Sequence, residues 1–154
     1  MTAPDAVRRR FRHHVWAGST LLGVIADHPA PDALRPFAHA LAADRVWHHR
    51  LAGAPTDGLE IWPALDVDGC RALLQETTDD WQAFLAGPLD LDGPAVYQNS
   101  RGEPFESAVR DVFDHVLLHA AHHRGQANAA LRAAGATPRA LDFIFWARSG
   151  EPAP

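Results

Sequence analysis

A chain of 154 residues with 47% hydrophobic content is long enough for one well-formed core and short for two, so residues 1–154 read as a single domain. The net charge of −5, without a concentrated basic face, argues against nucleic acid, and no apolar run approaches membrane-spanning length; the expected partner is a small molecule. All fourteen basic residues are arginine, which removes Schiff-base chemistry and a phosphate-loop lysine from consideration.

The periodicity predicts an all-α protein, a four-helix bundle with a short additional C-terminal helix. The first helix runs from about Pro4 to Ala26 on the stripe Phe11, Val15, Leu22 and Ile25, and stops at Asp27-His-Pro29. Pro31 is placed to open the second helix, with Pro36 in its early turns or at its true start, and that helix ends near Leu51. Gly53, Pro55, Gly58 and Pro63 mark a connection, after which Asp66 caps a third helix that ends near Gly87-Pro88. Its stripe Val67, Cys70, Leu74, Thr77, Trp81, Phe84 takes in the single cysteine as a small hydrophobe. One cysteine forms no intrachain disulfide and no segment reads as a secretion signal, so a cytoplasmic location is expected. Leu89 to Gly102 is irregular and reads as a short hairpin or extended loop. Pro104 then opens the fourth helix, which ends at Gly135, and a short final helix holds Phe143, Phe145 and Trp146. The tail from about residue 150, Glu151-Pro-Ala-Pro154, is expected to be flexible.

The fourth helix carries the chemistry. Four histidines fall within nine residues, in His115-Val-Leu-Leu-His119-Ala-Ala-His122-His123, a density well above the chain average. Residues four apart on a helix lie one turn above each other, close enough for two imidazoles to meet one ion. On a helical wheel the buried stripe centres about 120° from His115; His119 and His123 lie about 40° and 80° toward it, while His115 and His122 stay at the rim. The inward pair is His119 with His123. Gln126 lies near His119 in angle and one turn past His122 and His123, suited to a hydrogen bond behind a ligand, whereas Arg124 points away. The competing reading is a solvated or core-satisfied histidine face, since this short motif lacks the glutamate of His-Glu-x-x-His proteases.

A third ligand must come from elsewhere. His39 is the best candidate, followed by Ala42, Ala43 and Val46 on one small apolar stripe that lets another helix approach; a hydrogen-bonded core histidine is the alternative. His13, His14, His28, His48 and His49 read as surface residues.

The run from His115 to Gln126, followed by Leu131-Arg-Ala-Ala-Gly135 and Leu141-Asp-Phe-Ile-Phe-Trp-Ala-Arg148, resembles the C-terminal motif of the DinB family, also called the DinB/YfiT-like metalloenzymes. The similarity extends to Phe37-Ala-His39 through Trp47 and to the loop containing Gly102, and so covers most of the chain. The resemblance implies a four-helix bundle holding one divalent metal ion on a histidine of the second helix and two histidines four apart on the last long helix. In this sequence those are His39, His119 and His123. Zinc or nickel is the expected ion, with iron or manganese as alternatives. Relatives that use low-molecular-weight thiols such as bacillithiol or mycothiol imply a thiol cosubstrate and an S-transferase; a metal-dependent hydrolase and a non-catalytic metal-binding stress-response protein are the alternatives. The link between the first two helices is short for the family, which bears on the pocket entrance. A homodimer is expected, because Trp16, Trp62 and Phe145 exceed what the core needs and relatives pair through helix faces.

Overall fold

Thr2 and Asp5 cap each other's backbone at the start of the first helix in the computed structural model, which describes residues 1–154. That helix, α1, spans Ala3–Asp27. Helix α2 spans Pro31–Ala52, with Pro31 in its first turn, where a missing N–H costs nothing, and Pro36 inside it; it ends at Gly53, whose φ of 67° suits a residue without a side chain. Helix α3, Val67–Ala86, starts where the Asp66 carboxylate accepts from Gly69 N at 2.8 Å.

The stretch after α3 departs from the expectation at Pro104. Pro94–Gln98 (β1) and Pro104–Ala108 (β2) form an antiparallel hairpin in which Val96 faces Glu106 and Tyr97 faces Phe105. The turn is built by Asn99, whose Oδ1 accepts from the backbone of Arg101 and Glu103, and by Gly102 at φ 77°. Pro104 therefore opens a strand, and α4 begins at Val109 and runs to Ala133. The physical reason is where the helix finds acceptors for its first N–H groups: Val109 N donates to Gly93 O and Arg110 N to Leu91 O, both 3.0 Å, and no side chain caps this end.

A six-residue helix α5, Phe143–Arg148, buries Trp146 against α1. The segment after it is drawn onto the bundle: Glu151 accepts from Arg9 at 2.6 Å and Arg12 at 3.2 Å, and Trp146 Nε1 donates to Pro152 O.

Helices α1 and α2 each pack on both α3 and α4, so the long helices form a ring in which α1 and α2 stand at opposite corners. Two apolar clusters fill it. One gathers Leu21, Ile25, Phe37, Leu41, Cys70 and Leu131; the other gathers Val7, Phe11, Trp81, Phe113 and Val116. Between them Asp44, Thr77 and Arg124 occupy their helices, with His14 at the edge, all buried. The contact that positions the site is α2 against α4, where Ala38, Ala42, Ala120 and Ala127 are fully buried and allow close approach. No helix is long and apolar enough to cross a membrane.

Candidate metal centre

His39 projects from α2 toward His119 and His123 of α4, and the ring nitrogens of the three lie within 4.8 Å of one another. The α4 pair meets Nε2 to Nε2 at 3.2 Å. Each ring turns an edge to its neighbours, with centroids 5.1 Å apart for His39 and His119, 4.5 Å for His39 and His123, and 4.5 Å for the α4 pair.

Two of the rings are held in a defined tautomer. His39 Nδ1 donates to the Ile61 carbonyl at 2.7 Å, and His123 Nδ1 donates to Gln126 Oε1 at 2.7 Å, so in both the Nε2 lone pair is left for another partner. Gln126 in turn donates from Nε2 to His122 Nε2 at 3.0 Å. His122 is exposed and His115 stacks on His119 with centroids 5.4 Å apart; neither joins the converging nitrogens.

The electrostatics favour uncharged imidazole. Burial, followed by the neighbouring His123, His39 and His115, pulls His119 down to about 4. Burial also lowers His123, partly offset by its bond to Gln126. A donor set of three imidazoles, two of them with Nε2 left free by their Nδ1 bonds, fits a borderline divalent ion. Spacing fits as well, since two nitrogens bound at 2.0–2.1 Å on a tetrahedral ion stand roughly 3.3–3.4 Å apart, close to the 3.2 Å of the α4 pair.

The connection between α2 and α3 contributes more than its composition suggests. Trp62 stacks on His39 at a centroid distance of 3.6 Å with the planes 5° apart, and turns its edge to His123 at 6.0 Å. Adjacent residues thus clamp one imidazole, Ile61 through its carbonyl and Trp62 through its ring face. Trp62 remains 50% exposed and carries Arg35 5.4 Å from its ring centroid. A large aromatic inside a turn-rich loop was the only sequence signal for this role, and the surplus-aromatic reading of Trp62 is accounted for here.

The surface reading is corrected for three histidines, His14, His13 and His48. His14 is buried, with Nε2 donating to Asp44 and Nδ1 accepting from Arg124 at 3.2 Å, and Arg124 faces the bundle interior. Helix α4 packs on both α1 and α2, so its buried arc is wider than a single stripe and takes in Arg124. His13 is half-buried and donates to Leu141 O at 2.7 Å, and the His48 side chain is largely covered beside Trp81 and Phe84.

A family model described as the DinB family matches residues 27–153. The chain belongs to the DinB family. Protein DinB of Bacillus subtilis (strain 168) is 22% identical over 158 aligned positions, which cover 90% of this chain and 92% of that relative. No solved structure matches the chain. In this DinB-family chain all three converging histidines, Ile61 and Trp62 fall inside the matched region, whereas most of α1, including His14, precedes it.

Proposed function

We propose that this DinB-family protein holds one divalent metal ion, zinc or nickel, on His39, His119 and His123 and acts on a small molecule with a low-molecular-weight thiol as cosubstrate. The observation that carries this reading is the convergence of three ring nitrogens within 4.8 Å, with two rings already oriented by Ile61 and Gln126. When bound, such an ion supplies a Lewis acid that favours the deprotonated form of a thiol or water.

The chain's own residues do the rest. Trp62 shields one face of His39 from water, and Ile61 and Gln126 keep the His39 and His123 protons on Nδ1. A cavity of about 250 Å³ opens beside His39 and His119, lined by Ala43, Trp47, Asn99 and Ser100 among others. Neither a lysine nor a poised cysteine serves as nucleophile at this site. It has no lysine, and Cys70, in the apolar core among Leu74 and Phe37, has its thiol pushed up to about 11 by burial and then by Asp66. An external thiol supplies that group in the S-transferase reading.

The test is metal analysis of untagged protein followed by cobalt substitution. One equivalent of metal is expected, with a cobalt spectrum that changes on adding 2-mercaptoethanol and a thiol-dependent consumption of an alkylating electrophile. A spectrum unmoved by both thiol and azide makes a structural metal-binding role the better reading. The homodimer stays part of the proposal, resting on the exposed Ile144 and Phe145, and a monomeric mass by light scattering removes it.

A further inference from the structure

Arg50 stands apart among the arginines. Six of the fourteen are not exposed: Arg8, Arg9, Arg10, Arg45, Arg50 and Arg124. Five have an acceptor. Arg8 donates to Leu85 O at 2.8 Å, Arg9 to Glu151 at 2.6 Å, Arg10 to Asp114 at 2.8 Å and Arg124 to His14 at 3.2 Å, while Arg45 pairs with Glu76 at 3.7 Å. Arg50 alone among the six has no hydrogen-bond or ion-pair partner on any of its nitrogens, and its Nε, like those of Arg10 and Arg45, is buried.

Its surroundings are aromatic instead. The guanidinium carbon lies 4.4 Å from the Trp47 ring centroid and 5.3 Å from that of Tyr97, and those two rings meet edge-on at 5.0 Å. Ring faces attract the cation but offer no acceptor for its in-plane N–H groups. Arg50 lines the same cavity as His39 and His119, with the neutral polar residues Asn99 and Ser100 on the hairpin turn.

We propose that Arg50 is the anion-recognition residue of this cavity, taking the carboxylate of a small-molecule ligand whose other end reaches the histidine cluster. The inference rests on the metal-site reading for that other end only. A half-buried guanidinium without an acceptor is left incompletely solvated, and an arriving carboxylate supplies two acceptors in the geometry of its N–H fork. A planar monoanion matches both the single positive charge and the slot beside two rings, whereas a phosphate brings close to two negative charges and a tetrahedral shape. A neutral amide of the same size offers a single carbonyl acceptor and no charge in place of two charged oxygens, so discrimination of at least about tenfold is expected.

The experiment follows the Arg50 Nε–Hε resonance in metal-free, ¹⁵N-labelled protein at constant ionic strength, the signal being identified by its loss in both R50Q and R50K. Propionate, propionamide and inorganic phosphate are the probes. The expected result is a saturable shift with propionate, at least tenfold weaker with propionamide and weaker with phosphate. No shift with propionate, or an equal shift with the amide, overturns the proposal; a stronger response to phosphate overturns the carboxylate assignment. Metal content is measured on the same wild-type and R50Q preparations. Failure of wild-type protein to take up metal sinks the metal reading without touching the propionate result, and an R50Q preparation that takes up metal as the wild type does separates the two roles.

Discussion

His14 on α1 donates from Nε2 to Asp44 Oδ2 on α2 at 2.9 Å, across the diagonal of the bundle. The bond joins the two helices that stand at opposite corners of the ring. Because Arg124 donates to Nδ1, the imidazole is fixed as the neutral Nε2–H tautomer and bridges a guanidinium and a carboxylate. Burial pulls Arg124 down to about 10, with Asp44 opposing. Removing the carboxylate leaves a buried cation uncompensated. Asp44→Ala is expected to lower stability by about 3–5 kcal/mol, a large share of a typical domain's total. Replacing His14, Asp44 and Arg124 together by leucine is expected to cost less than Asp44→Ala alone. Urea unfolding of the two variants decides; a loss under about 1 kcal/mol in Asp44→Ala rejects the account.

The three histidines predict an unequal alanine series. His39→Ala, His119→Ala and His123→Ala are each expected to lose most bound metal, and His115→Ala and His122→Ala to keep it. Elemental analysis after gel filtration reads this directly. Retention in His123→Ala together with loss in His115→Ala would falsify the assignment.

Residues that touch the rings without joining the cluster are expected to matter by degree. Gln126→Ala removes the acceptor from His123 Nδ1, and Trp62→Ala uncovers His39. Each is expected to weaken metal affinity roughly 10–100-fold while leaving the fold intact. Competition with a chromophoric chelator gives the affinities, and circular dichroism checks the fold. Wild-type affinity in both variants would remove these contacts from the account of the site.

Cys70 is expected to be unreactive in the folded state. Its thiol is pushed up to about 11, so the thiolate is scarce at neutral pH and the sulfur is fully enclosed. A disulfide reagent should label it only in step with global unfolding in urea. Rapid labelling of native protein at pH 7.5 contradicts the packing described for α3.

Five histidines shape the acid limb of stability. Burial lowers His13, His48, His115, His119 and His123, so each binds a proton less readily folded than unfolded. Their contribution is complete above the unfolded value near 6.5 and is lost as pH falls through the folded values, for His119 down to about 4. Urea midpoints of chelator-treated protein should be level from pH 8 to 7 and fall below 6.5. His48→Leu, which removes one such group beside Trp81, should shallow that fall. A midpoint that rises on acidification reverses the sign and rejects the argument.

The long helices and the inward histidine pair were legible because both depend on one periodicity, three and four residues along a single face. His119 and His123 sit where that period puts them, and His39 lies on a stripe of alanines that let α4 approach. What sequence could not convey depends on contacts between faces. Arg124 lies outside the main apolar stripe of α4, but a second neighbour, α1, covers that side. Pro104 carries a helix-opening signal, yet Phe105 pairs with Tyr97 and the helix waits for the carbonyls of Leu91 and Gly93. Trp62 and Ile61 reach His39 from a loop that has no period at all.

The clamp on His39 has a consequence for how an ion is acquired. A free imidazole on a helix samples several rotamers and two tautomers, and binding must select one combination. Between the Ile61 carbonyl and the Trp62 ring, the choice is made when the loop folds, before any ion arrives. The entropy of ordering that ligand is then charged to folding, and a weakly available ion meets a ring already aimed at it. On the proposed metal-site reading, binding then asks for no reorientation of His39.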